Sequence, residues 1–222
     1  MVWHPAHLRR GHVAVDERNK QHVAVGWQQA GLERRHRSPE YIYEAHKGEK
    51  ARQVAELNVD RRRTMEAEIT SRAVDFIKRN ATATKPFFAY VSFSLVHFPT
   101  LPNPDFAGKT GNGDWADCLA EMDYRTGQIL DAIKEAGIEE NTIVIFASDN
   151  GPEATHPWDG DSGPWRGTYF TAMEASLRAP FIIRWPGKVP AGAVNNEIVH
   201  IVDLYPTLAS VGGAEVPKDR PD

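Results

Sequence analysis

The chain has 222 residues, 41% hydrophobic and 25% charged, which suits one globular domain or a large part of one. No apolar stretch approaches the roughly 18 residues needed to span a membrane, and the opening "MVWHPAHLRRGHVAV" lacks the apolar centre of a secretory signal. The net charge of −4 is split: residues 1–80 carry 16 Lys+Arg against 11 Asp+Glu, and the remainder 10 against 19; with no nucleic-acid reading motif in the basic part, it reads as solvated surface and no nucleic-acid partner is expected.

Residues 1–40 are rich in His and Arg but hold no sustained period. The stretch "HVAV" occurs at His12–Val15 and His22–Val25, too few copies for a repeat. This segment is set aside as an unassigned leader, disordered or misassembled, without a metal site. From Thr64 to Ala81, Met65, Ile69, Ala73, Phe76 and Ile77 share a helical face, and Lys78 and Arg79 suit a helix C-terminus. "PFFAYVSF" then predicts a strand over Phe87–Phe93. A Pro- and Gly-rich loop leads to a second helix over Asp114–Gly137, with Leu119, Met122, Ile129, Leu130 and Ile133 on one stripe and Gly137 as the stop. The only cysteine, Cys118, reads as core of that helix and excludes an internal disulfide. Thr142–Ser148 and "APFIIRWPGKVP" predict two buried strands. "VDLYPTLASVGG" predicts a short helix with Asp203 as its cap, Pro206 in its first turn and Gly212 after its end.

This alternation predicts an α/β domain. Its strands read as continuous apolar runs, so the sheet is expected to be mixed but mostly parallel, with helices on both faces. Ligands of such sheets sit beyond the carboxyl ends of the strands, where Asp149, Asn150 and His97 fall.

Each candidate has two readings at this point. Asp149 and Asn150 are adjacent hard oxygen donors suited to calcium or magnesium, or they belong to an ordinary Asn-Gly turn with Gly151. His97 is a general acid working near neutral pH, or polar surface. Arg166, between Gly163-Pro164 and Gly167, is an oxyanion grip, or an ion-pair partner of Glu174.

Taken together, "PFFAYVSFSLVHFPTLP", "NTIVIFASDNG" and "WRGTYFTAMEASLRAPFIIRWPGK" resemble the sulfatase family, the arylsulfatase-like branch of the alkaline-phosphatase superfamily, over about Pro39 to Pro221. The resemblance implies that residues 41–222 are part of a sulfatase catalytic domain of alkaline-phosphatase-like fold. It implies hydrolysis of a small-molecule or carbohydrate sulfate ester with one calcium ion and a formylglycine nucleophile. It makes Asp149 and Asn150 calcium ligands, and His97 the group that contacts the sulfate and helps protonate the leaving oxygen.

The departures from the family pattern are specific. The chain is read as lacking the Cys/Ser-x-Pro/Ala-x-Arg motif that supplies formylglycine, which in the family lies well before these segments, and Cys118 lacks the Pro-x-Arg that would follow it. The paired aspartates that complete the calcium site and the small C-terminal domain are absent as well. Where the family often has a sulfate-binding lysine, this chain has Tyr169, so either Arg166 takes that role, the favoured reading, or the sulfate is held differently. The chain is therefore expected to be a catalytically incomplete sulfatase fragment, with a non-catalytic pseudo-sulfatase binding protein as the alternative. A two-metal phosphoesterase would need His156 or His200 as ligands, and neither sits in a fitting motif.

Overall fold

The computed structural model describes residues 41–46, 48–97, 100–153 and 161–216. The leader 1–40 with both HVAV copies, His156 and the closing residues 217–222 lie outside the described residues. The first described element is a hairpin that the sequence did not announce. Strands β1 (Tyr41–Glu44) and β2 (Arg52–Glu56) pair antiparallel, and the Arg52–Glu44 ion pair closes the far end. β2 reads "RQVAE", too short and too charged to show an alternation, and Ile42 is the hairpin's buried residue.

Helix α1 (Val59–Asn80) starts ahead of the predicted Thr64. Asn58 caps it, its Oδ1 accepting from the Arg61 amide at 2.9 Å. The run Arg61-Arg62-Arg63 breaks the apolar period and hides this first turn. Yet Arg62 and Arg63 are buried, because each guanidinium finds a backbone acceptor: Ser94 O at 3.2 Å for Arg62 and Pro102 O at 3.1 Å for Arg63. The expected face holds, with Met65, Ile69 and Ile77 buried.

Helix α2 (Asp114–Glu135) packs along α1 and stops before Gly137, whose φ of 68° only glycine adopts without strain. Ala132 and Ile133 join Ile77 in a small core, and Val74, Phe87, Ile129, Ile138 and Val144 pack against it. Phe87 meets Phe76 edge to face at 5.5 Å. Cys118 is fully buried, as its place on the helix predicts.

The predicted strand over Phe87–Phe93 forms no ladder among the described residues. Its aromatic content favours an extended chain, but a strand also needs a neighbour, and the described strands pair elsewhere. Phe87 turns to the core while Phe88 and Tyr90 are exposed. The other two apolar runs are strands, β3 (Val144–Ala147) and β4 (Phe181–Arg184). They pair with each other antiparallel, Val144 opposite Arg184 and Ala147 opposite Phe181, not parallel as their apolar runs suggested. Nor is β4 covered on both faces, for Ile182 is 62% exposed.

A one-turn helix α3 (Glu174–Leu177) lies between these strands in sequence, and α4 (Leu204–Val211) follows them. Asp203 stands at the N-cap of α4 without a capping bond there; its carboxylate instead completes a capping box with His200, the cap of the 3-10 turn Ile201–Asp203 that enters α4. Its Oδ2 accepts from the His200 amide at 2.8 Å, and His200 Nδ1 accepts from the Val202 amide at 3.2 Å.

Asp117 of α2 fastens the loop before it. Its carboxylate accepts from the Gly108 amide at 2.7 Å, the Thr110 amide at 2.9 Å and the Thr110 hydroxyl at 2.7 Å. Burial by itself would push this carboxyl up, but the bonds from Thr110 and Gly108 outweigh it and hold it below its ordinary 3.8. A carboxyl depressed by folding adds stability above its ordinary value, and that stability is lost as pH falls through the folded value. Asp117→Asn is expected to lower unfolding free energy by about 1–3 kcal/mol at neutral pH. It should also flatten the loss of stability below about pH 4; urea melts across that range measure both effects.

Candidate functional site

The polar end of β3 is sewn to the segment around α3. The Ser148 amide donates to Pro180 O at 3.1 Å, extending the β3–β4 pairing by one step. The Gly151 amide donates to Ser176 O at 3.0 Å, the Tyr169 amide to Pro152 O at 2.9 Å, and the Ala175 amide to Arg166 O at 2.9 Å. These bonds place Asp149, Asn150 and Arg166 on one hydrogen-bonded unit.

Two glycines make that unit possible. A Cβ on Gly151 would lie 1.6 Å from the Ala175 carbonyl oxygen, so the two backbones meet only because there is no side chain. Gly167 has φ of 98°, and a Cβ there would lie 2.4 Å from Met173 Cβ. The Asn-Gly pair is thus a turn and also a point of close backbone approach.

The side chains of the unit leave their chemistry free. Asp149 is exposed and Asn150 half-buried. Asn150 Nδ2 donates to Gly151 O at 2.8 Å, which leaves Oδ1 available as an acceptor. Arg166 is exposed and forms no ion pair among the described residues. The expected alternative partner, Glu174, pairs instead with Arg178, whose guanidinium lies 4.2 Å from the centre of the Trp165 ring. Tyr169 sits against Phe170, their ring centroids 4.1 Å apart.

His97 rests on a different support. It is exposed, and its amide donates to Ser94 O at 2.9 Å in a turn on the loop between α1 and α2. None of the bonds that sew Asp149, Asn150 and Arg166 together involves it.

The residues that sequence reasoning missed are the buried charges beneath that loop. Glu66 of α1 and Glu121 of α2 are both 0% exposed. Glu66 follows buried Met65 on the inward side of α1, and Glu121 follows buried Cys118 by one turn; a charge inside an apolar stripe was the available signal. Burial pushes the Glu66 carboxyl up, against the pull of Ser94 and Arg62.

Among the described residues no three His, Cys, Asp or Glu side chains converge to hold a metal ion. Asp149 and Asn150 fit calcium in donor type but fall short of the six to eight oxygens it takes. His200 spends Nδ1 on its capping bond. Burial drives the Cys118 thiol far up, which makes it a poor nucleophile. The letters Ser-x-Pro-x-Arg do occur once, from Ser162 to Arg166, but after β3 and not ahead of it. There the Ser162 hydroxyl donates to Trp165 O at 2.9 Å and closes a turn.

The sulfatase family profile matches residues 12–214, so the match begins inside the segment that sequence reading left unassigned. The N-acetylgalactosamine-6-sulfatase of the dog, Canis lupus familiaris, is 37% identical over 164 residues, 71% of this chain and 31% of that protein. The steryl-sulfatase of the rat, Rattus norvegicus, is 36% identical over 158 residues, 68% of this chain and 27% of that protein. The crystal structure of the PsFucS1 sulfatase from Pseudoalteromonas sp. superposes with a TM-score of 0.75 at 32% identity, covering 89% of this chain and 38% of that one. The chain belongs to the sulfatase family, and its fold is a partial α/β unit of the alkaline-phosphatase-like kind. It spans less than a third of the length of these two curated relatives.

The close approach at Gly151 is open to test. Gly151→Ala is expected to destabilise the chain by about 1–3 kcal/mol, since an added Cβ would push apart the backbones that carry the site. Gly127→Ala in α2, where a Cβ meets nothing, should raise stability by about 0.5–1 kcal/mol. Thermal melts of the two variants check both signs.

Proposed function

We propose that this chain carries part of the active site of a calcium-dependent sulfate monoester hydrolase. The observation that carries the reading is the sewn unit itself: one free carboxylate, one free amide oxygen and one free guanidinium on adjoining loops at the end of β3. Arg166 grips the sulfuryl group, since its planar fork matches two oxygens of an oxyanion. Asp149 and the Oδ1 of Asn150 are the residues that would hold calcium, which when bound stabilises charge on the nucleophile and the sulfuryl oxygens. His97 gives a proton to the departing oxygen, and an ester cleaves faster when its leaving alkoxide or phenoxide is neutralised. The substrate is a small-molecule or carbohydrate sulfate ester. Because Tyr169 cannot supply a cation where relatives often carry lysine, Arg166 supplies the positive charge of this unit.

The chain by itself is a catalytically incomplete portion of such an enzyme. Two donor side chains make only part of a calcium site, and the one thiol is buried. Exposed apolar side chains support the same reading. Ile182 on β4 and Ile198, which is 97% exposed, present surface that a larger sulfatase domain would cover.

Purified chain is expected to show no steady turnover of 4-nitrophenyl sulfate. Calorimetry should give a calcium Kd weaker than about 1 mM, and Asp149→Ala should abolish the remaining heat. Sustained turnover would sink the claim of incompleteness. Tight calcium binding would point instead to a rebuilt site in a non-catalytic binding protein.

A further inference from the structure

We propose that the buried carboxylates Glu66 and Glu121 are positioning residues for His97, clamping the two feet of the loop that carries it. The role rests on the reading of His97 as the group that serves the departing oxygen.

The first foot is Ser94. Its amide donates to Glu66 Oε1 at 3.0 Å, and its hydroxyl donates to the same oxygen. Its carbonyl accepts from Arg62 Nη2 at 3.2 Å, while Arg62 Nη1 lies 3.4 Å from Glu66 Oε1. That same carbonyl accepts the His97 amide, so the turn that presents the imidazole is built directly on the clamped residue. The second foot is Pro102–Asn103. The Asn103 amide donates to Glu121 Oε2 at 2.8 Å, and Pro102 O accepts from Arg63 Nη1 at 3.1 Å. Arg125 holds the other oxygen of Glu121 with two bonds of 3.3 Å. Leu95, Thr100, Leu101 and Pro102 are buried around the feet, and His97 between them is exposed.

These carboxylates come from two different helices and spend their acceptors on loop amides. A device meant only to join the helices would not need that. Nor is maximal stability the evident reason, because Arg62 Nε and Glu66 Oε2 are buried without a partner among the described residues, and apolar side chains fill such space more cheaply. A fixed imidazole is the gain: a proton donor must come within hydrogen-bond reach of its target, and a misplacement of about 1 Å loses roughly a hundredfold in rate.

The test follows the full chain by NMR and does not depend on turnover. Long-range proton–nitrogen spectra report the His97 ring, with His200 on its capping turn as internal control, and amide exchange reports Ser94. Glu66→Gln, which keeps an oxygen acceptor, should speed Ser94 exchange about tenfold, and Glu66→Leu about a hundredfold. Both should shift or broaden the His97 ring signals and leave those of His200 in place. A folded variant with unmoved His97 signals overturns the proposal, as does equal movement at His200. If Glu66→Leu fails to fold, Ser94→Ala, which removes only the hydroxyl donor, carries the same expectation at smaller amplitude. A second arm adds 4-nitrophenyl sulfate to the unaltered chain. Response at His97 and Arg166 supports the sulfate-ester reading. If His97 moves in the Glu66 variants but never responds to the sulfate, the clamp stands and that reading falls.

Discussion

Charge buried between α1 and α2 organises this molecule. At one end of the helix pair Ile77, Ala132 and Ile133 make a small apolar core. At the other end Arg62, Glu66 and Glu121 meet the loop that runs between the helices. The two ends do different work. Apolar contact is non-directional and holds the helices together. Charged hydrogen bonds are directional and tell a loop where to stand. The price is a pair of carboxylates withdrawn from water, tolerable only where guanidinium groups and amides surround them.

The same helices carry buried carboxyls that respond to pH in opposite senses. Asp117, held down by three bonds, lends stability that fades in acid. Glu66, pushed up by burial, does the reverse. Its stabilising effect is whole below its ordinary 4.5 and is lost as pH rises from there through the folded value. Near the ordinary carboxyl range the two slopes oppose each other, which tends to flatten the dependence of the helix pair on pH. Asp117 gathers three donors, whereas Glu66 Oε2 has none among the described residues.

The sequence was most legible where side-chain period and backbone punctuation agreed. Gly137 ended α2, the apolar runs at β3 and β4 were strands, and Cys118 was core. It was least legible where a tertiary partner decided the outcome. The first turn of α1 was hidden by arginines that are buried only because distant carbonyls accept from them. Phe87–Phe93 looked like a strand because aromatic residues favour extended backbone, but pairing belongs to neighbours and not to the segment. The β3–β4 orientation was misjudged for a related reason: an apolar run says that a strand is to be covered, not which way its partner runs. Within the site, Asp149 and Asn150 were visible as a polar break after an apolar strand. That Gly151 serves a backbone contact, and that Glu174 belongs to Arg178, could be seen only in three dimensions.

The burial of Cys118 has a practical side. The chain's single thiol is shielded from solvent and holds its proton well beyond the ordinary thiol range. While folded, the chain therefore has little tendency to cross-link to a second copy or to react with alkylating reagents. A cysteine placed on any exposed loop would be the one reactive handle on the molecule. Spectroscopic labels could then be attached at a chosen point without first removing the native residue from the helix interior.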